Sequence, residues 1–185
     1  MISMKEIEVK ILEVNREEIE KKLVKLHTKK IFEGKIQTLF LDFKDSEIAK
    51  QKNLLRLRKN PQKTELTYKK VKRTQTFKIA EEYTVEVLDP DTLLKILENL
   101  GLTVTSTMDK YRLSYKLDNT QFDLDKYTGE YAFIPEFLEI EAENIDKIHQ
   151  YAKLLGFKAE NCLSWSTKEL IEHYFERKEK TEKSR

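Results

Sequence analysis

The sequence has little of what most recognisable sites are built from. It holds one cysteine, Cys162, so no disulfide can form within the chain, and this fits a reducing compartment. Cys162 has no neighbouring group to activate it and reads as an apolar filler. With 4 glycines, none of them clustered, a glycine-rich phosphate loop is excluded. The 3 histidines, His27, His149 and His173, fall on separate helical stretches without a second ligand at metal spacing, so a histidine metal centre is not expected. Net charge is scarce as well. Lys+Arg 35 against Asp+Glu 33 leaves +2, too little for a general polyanion-binding surface. The basic run Lys69-Lys70-Val71-Lys72-Arg73 lacks interleaved aromatics, and nucleic-acid binding is not expected of it. No apolar run approaches membrane-spanning length and no apolar leader precedes the first strand, so the expectation is no membrane association and a cytoplasmic location.

What the chain has in quantity is charge of both signs, 37% of residues, beside 39% apolar residues that include 9 Phe and 8 Tyr. That is enough apolar material for a core, and no Pro/Gly/Ser-rich stretch divides it. A single domain over residues 1–176 is expected, followed by a charged, disordered tail at 177–185 in which nothing apolar remains to anchor it. Period-two patterning marks strands at about 5–13, 36–43, 53–59, 64–71, 77–88, 107–117, 120–127 and 137–143. Helical spacing marks about 16–27, 91–100, 145–155 and 166–177. Ser166 and Glu169 form a capping-box pair at the last of these. Leu100-Gly101 and Leu155-Gly156 each close a helix fourteen positions after a strand glutamate, a faint internal echo.

The informative feature is how the charges alternate. Alternate side chains of a strand share a face, so Glu6, Glu8 and Lys10 line up opposite Ile7, Val9 and Ile11. Arg56 and Arg58 alternate with Leu55 and Leu57; Lys110, Arg112 and Ser114 with Tyr111, Leu113 and Tyr115; Glu139 and Glu141 with Leu138 and Ile140. Thr67 and Lys69 flank Tyr68, and Glu82, Thr84 and Glu86 alternate with Tyr83, Val85 and Val87. One such strand is an ordinary sheet with a wet side. Repeated across the set, the pattern fits an α+β fold in which an eight-stranded antiparallel β-barrel encloses the charges and helices pack outside. Carboxylates about 4 Å apart then repel by roughly 4 kcal/mol per pair at an effective dielectric near 20. A cation must sit among Glu6, Glu8, Glu139 and Glu141, and Mg²⁺ or Mn²⁺ suits hard oxygen donors. Lys10, Arg56, Arg58, Lys69, Lys110 and Arg112 are the complementary half, able to grip phosphate.

These residues resemble the CYTH domain, the triphosphate tunnel metalloenzymes that include class IV adenylyl cyclases and thiamine triphosphatases. Glu6-Ile7-Glu8-Val9-Lys10 is similar to the family's ExExK signature. Leu55-Arg56-Leu57-Arg58, Leu66-Thr67-Tyr68-Lys69, Glu81-Glu82-Tyr83, Lys110-Tyr111-Arg112, Leu124-Asp125 and Phe137-Leu138-Glu139-Ile140-Glu141 follow in the family's order. The resemblance implies a tunnel holding a triphosphate, with divalent metal on Glu6, Glu8, Glu139 and Glu141 and contributions from Glu82 and Asp125. It implies phosphate binding by the six cations above and catalytic roles for Glu8, Glu139 and Lys110. The partner is a triphosphate-bearing small molecule, and a homodimer is compatible with such a domain. Three positions depart from the pattern: Phe40-Leu41-Asp42 stands where a Tyr-Phe-Asp segment is common, Thr84 where a further glutamate is common, and Trp165 where a Ser-Tyr pair is usual near the end. The leading expectation is hydrolysis of the terminal phosphate of tripolyphosphate or of a nucleoside or thiamine triphosphate. The alternatives are cyclisation of ATP to cyclic AMP and pyrophosphate, and polyphosphate or nucleotide binding without turnover.

Overall fold

The computed structural model describes residues 7–73 and 78–183. Eight strands form one antiparallel sheet: β1 (Ile7–Leu12), β2 (Lys29–Phe43), β3 (Leu54–Lys59), β4 (Thr64–Arg73), β5 (Lys78–Glu86), β6 (Leu102–Leu117), β7 (Thr120–Tyr127) and β8 (Phe137–Ala142). Their order in the sheet is β1-β8-β7-β6-β2-β3-β4-β5. The helices are α1 (Arg16–Lys25), α2 (Glu47–Lys50), α3 (Pro90–Asn99), α4 (Ile145–Leu154) and α5 (Thr167–Lys183). The described residues pack as two compact units, 34–73 with 78–109 in one and 7–33 with 110–183 in the other.

In the second unit, β1, β8, β7 and the latter part of β6 pair in antiparallel register. One face carries Val9, Ile11, Leu113, Phe122, Leu124, Leu138 and Ile140, all buried together with Ile19 and Leu23 of α1 and Ile148 and Ala152 of α4. The period of two on the strands and of three to four on the helices therefore meet in one core. Asn15 and Asn144 cap α1 and α4 by accepting from the backbone N–H groups of Glu18 and Lys147. Gly156 closes α4 at φ +92°, a left-handed position that a side chain would strain, and its N–H donates to the Lys153 carbonyl. Ser166 and Glu169 form the expected reciprocal cap at the head of α5. This helix continues to Lys183 instead of ending near residue 176. Arg177 pairs with Glu13, and Lys178 lies over the Phe133 ring, so the polar stretch is held by side chains of the unit without any apolar residue of its own.

In the first unit, β2 from Gly34 onward, β3, β4 and β5 pair successively. Leu41, Leu57 and Leu102 are buried, and Leu39, Leu55, Leu66 and the α3 residues Leu93, Leu94 and Leu97 pack against them. Asp89 caps α3 ahead of Pro90, and Gly101 ends it at φ +91°, the counterpart of Gly156. Asp42 is buried and accepts the backbone N–H groups of Phe43, Ile48 and Ala49, which seats the short α2. Its role is to orient this turn.

Candidate active site

The face of the second unit opposite its apolar core is where the charges gather. Cross-strand register sets Glu8 opposite Glu141 and Lys10 opposite Glu139. On the other side of β8, Glu139 faces Asp123 and Glu141 faces Gln121. Then Asp123 faces Ser114, Asp125 faces Arg112 and Tyr127 faces Lys110. Because side chains alternate, all of these lie on one side of the sheet. The strands thus deliver residues from positions 8 to 141 into a contiguous patch.

The patch is buried to a degree that charged side chains reach only when paired. Lys10 is 2% exposed, Arg112 8% and Asp125 0%. The Lys10 ammonium contacts Glu8 and lies 2.9 Å from Glu139. Lys110 Nζ donates to Asp125 at 2.6 Å. Arg112 Nε donates to Asp125 at 2.7 Å, its Nη1 lies 2.5 Å from Asp123, and its Nη2 contacts both Asp125 and Glu139. All three guanidinium nitrogens therefore lie against carboxylates, and Arg112 holds Asp123, Asp125 and Glu139 in fixed relation.

Burial disfavours charge on Lys10, but Glu139 and Glu8 outweigh it and hold the ammonium protonated above its ordinary range. Burial likewise pushes Glu139 upward, and Lys10, Lys110 and Arg112 overcome it, keeping that carboxyl well below the usual carboxylate range. Asp123 is the exception. Its burial dominates and raises its pKa despite Arg112. Beyond Asp125 the face turns aromatic, with Tyr127 stacked on Phe137 at 5.8 Å and Lys110 Nζ 5.9 Å from the Tyr127 centroid. Burial, reinforced by Glu139 and Asp125, raises the Tyr127 phenol and keeps it neutral.

In the first unit the expected residues also share a face. Phe40 faces Arg56 and Thr38 faces Arg58 across β2–β3. Leu54 faces Lys69, and Arg56 faces Thr67, across β3–β4. Lys69 faces Glu82 and contacts it, and Arg56 Nη2 lies 3.7 Å from the same carboxylate. Thr67 and Thr84 share a hydrogen bond at 3.1 Å, so the threonine at the departed position pairs with its neighbour on β4. Among the described residues, the Arg58 Nε is buried with no hydrogen-bond partner. Such a donor is costly unless something accepts from it.

Of the residues marked from sequence, Glu8, Lys10, Lys110, Arg112, Asp125, Glu139 and Glu141 meet on the face of the second unit. Arg56, Arg58, Lys69 and Glu82 meet on the face of the first. Glu6 lies outside the described residues. Asp123 is a member of the charged patch that the sequence pattern above leaves out, although Gln121, Asp123 and Asp125 alternate with Phe122 and Leu124 in the same way. As to metal, no group of three or more His, Cys, Asp or Glu side chains is arranged as a ready cage among the described residues. The donor chemistry nevertheless suits a hard divalent ion. Glu8, Glu139, Glu141, Asp123 and Asp125 on one face outnumber Lys10, Lys110 and Arg112, and Glu8 sits directly opposite Glu141.

The family model for the CYTH domain matches residues 4–179. The chain belongs to the CYTH family. Among solved structures it is similar to the PH1012 protein of Pyrococcus horikoshii, 30% identical, over 90% of this chain and 98% of that chain with a TM-score of 0.71. A Vibrio parahaemolyticus protein proposed to be an adenylate cyclase is 16% identical over 92% of this chain and 99% of that one, with a TM-score of 0.77. HpAC1 from Hippeastrum, an adenylyl cyclase candidate that shows a dominant triphosphatase activity, is 15% identical over 82% of this chain and 87% of that one, with a TM-score of 0.60. The last two likenesses concern the fold. No curated protein matches the chain.

Proposed function

We propose that this CYTH protein is a metal-dependent triphosphatase that hydrolyses the terminal phosphate of inorganic tripolyphosphate or of a nucleoside or thiamine triphosphate. The observation that carries the reading is the buried charged patch in which Arg112 fixes Asp123, Asp125 and Glu139 while carboxylates outnumber cations. A protein interior retains such a patch at a cost in desolvation, and a patch with surplus negative charge calls for a further cation. Glu8, Glu139 and Glu141 are the residues that would hold Mg²⁺ or Mn²⁺. When bound there, the ion neutralises charge on the phosphoryl oxygens.

The protein side chains do the remaining work. Arg56, Arg58 and Lys69, with Lys10 and Lys110, receive phosphate oxygens, each on the charged face of its own unit. Among the described residues the Arg58 Nε has no hydrogen-bond partner, so this guanidinium keeps a donor to offer. Glu8 is the least buried carboxylate of the patch, with its side chain 40% exposed, and it accepts the proton of the attacking water. Water adds to the terminal phosphorus and the phosphoanhydride P–O bond breaks, its electron pair leaving on the diphosphate oxygen. Lys110, whose ammonium is oriented by its hydrogen bond to Asp125, offsets that negative charge. The products are orthophosphate and the remaining diphosphate.

The test is a Mg²⁺- or Mn²⁺-supplemented assay of tripolyphosphate, ATP and thiamine triphosphate with product identification. Orthophosphate release supports hydrolysis. Cyclic AMP with pyrophosphate from ATP would move the chain to the cyclases. Metal-dependent triphosphate binding without any product would make it a binding module.

A further inference from the structure

Within the first unit a cavity of about 220 Å³ is lined by Phe40, Asn53, Leu54, Thr105 and Ser106, with Ala49 of α2 as one wall. Two of these residues tie it to the phosphate-binding cations. Phe40 is the register partner of Arg56, and Leu54 is the register partner of Lys69. A molecule whose phosphates lie on Arg56 and Lys69 therefore meets two residues of the cavity lining, Phe40 and Leu54, as the direct cross-strand neighbours of those cations. The lining also has the composition of a ring-binding site: a phenylalanine face, aliphatic walls, and amide and hydroxyl groups at a few points. Asn53 is held in place by its amide, which donates to the Tyr68 hydroxyl at 2.9 Å. The Asp42 carboxylate, also at the cavity wall, is consumed by three backbone N–H groups, so its charge is already compensated before a heterocycle enters. The volume suits one small ring system and is too small for a drug-sized ligand.

Building on the triphosphatase reading, we infer that this cavity is a specificity subsite. It receives the heteroaromatic group of an organic triphosphate, with Phe40 as the stacking surface, so that the preferred substrates are ring-bearing triphosphates and inorganic tripolyphosphate is the poorer one. Phe40 presents an aromatic face without a hydroxyl, and stacking of a base needs no more than that face.

The experiment compares ATP with tripolyphosphate, in calorimetric binding and in kcat/KM, for the wild type, Phe40→Ala and Ala49→Leu. The second variant leaves the aromatic ring in place and narrows the cavity from its α2 wall. The wild type is expected to favour ATP, and each variant to lower the ratio of ATP to tripolyphosphate affinity by about tenfold, as loss of one base–aromatic stack does. A preference for ATP that survives both variants overturns the subsite. So does equal affinity for the two ligands in the wild type, which leaves the triphosphatase reading standing. Failure to bind either ligand in the presence of metal overturns that reading and the subsite together.

Discussion

Replacing Glu139 by glutamine tests the electrostatics of the patch in a form that separates charge from shape. The amide occupies nearly the same volume as the carboxylate and resembles the protonated acid. Glu139 lies 2.9 Å from Lys10 Nζ and also contacts Arg112, and both cations are buried. Breaking a buried pair from one side typically costs 3–5 kcal/mol, because a charge is left uncompensated. Lys10 would keep Glu8, and Arg112 would keep Asp123 and Asp125, so the lower end applies. The expected loss at neutral pH is about 3 kcal/mol. At this chain length that corresponds to a fall in Tm of roughly 6–12 °C.

The pH dependence follows from the direction of the Glu139 shift. Its folded-state pKa lies well below the ordinary carboxyl value of 4.5. The stabilisation is therefore present in full above the unfolded pKa and is lost as pH falls through the folded one. Wild type and variant should differ most above about pH 5.5 and converge toward the acid limit of the folded range. Urea unfolding followed by near-ultraviolet circular dichroism at several pH values measures the gap. A difference under about 1 kcal/mol at neutral pH, or one that stays constant on acidification, would refute the claim that Glu139 is ionised and paired.

Glu8→Gln should lower metal-dependent turnover by at least about tenfold while changing stability by no more than about 1 kcal/mol, since this carboxylate is partly solvated. Wild-type kcat/KM in that variant would remove Glu8 from the chemistry. Arg58→Ala should weaken triphosphate binding by about 1.5–3 kcal/mol through loss of a charge-assisted bond, and an unchanged Kd in calorimetry would place Arg58 outside the site. Asp42→Ala leaves the N–H groups of Phe43, Ile48 and Ala49 without their acceptor and should cost about 1–3 kcal/mol in urea unfolding. A neutral result there would mean that α2 is seated by its apolar contacts alone.

The alternation of charged and apolar residues makes much of this arrangement legible without coordinates. Wherever a strand has one face in a core, period-two spacing names both the buried leucines and the charged row opposite, as at Leu55-Arg56-Leu57-Arg58. The same logic fails where neither face is buried. β2 begins at Lys29 and β6 at Leu102, several residues before the patterns at 36 and 107. Most of Lys29–Lys35 and of Thr103–Thr107 is exposed, so those extensions carry no hydrophobic signature. Helical spacing stops α5 short for a related reason. Its last turns are held by Arg177 on Glu13, a partner 164 positions away, and composition cannot show a contact of that kind. Asp123 is within reach of the pattern, because its neighbours Phe122 and Leu124 are both fully buried and put it on the charged side.

What the alternation cannot reveal is how the charges divide their labour. On the strand pattern Arg58 and Arg112 are equivalent, since each extends from the charged face of a strand whose alternate positions are leucine or tyrosine. In the fold Arg112 is surrounded by Asp123, Asp125 and Glu139, whereas the Arg58 Nε finds no acceptor among the described residues. The first is an organiser of carboxylates and the second keeps a buried donor that no described carboxylate satisfies. Stability alone gives little reason to keep either, because a buried ion cluster can often be replaced by apolar side chains of similar volume without loss. The opposite face, with Phe122, Leu124, Leu138 and Ile140 buried against α1 and α4, already supplies a core on which this unit can rest. The charged face is therefore tolerated by the fold more than required by it, and binding a metal and a highly charged ligand is the property that would justify its desolvation.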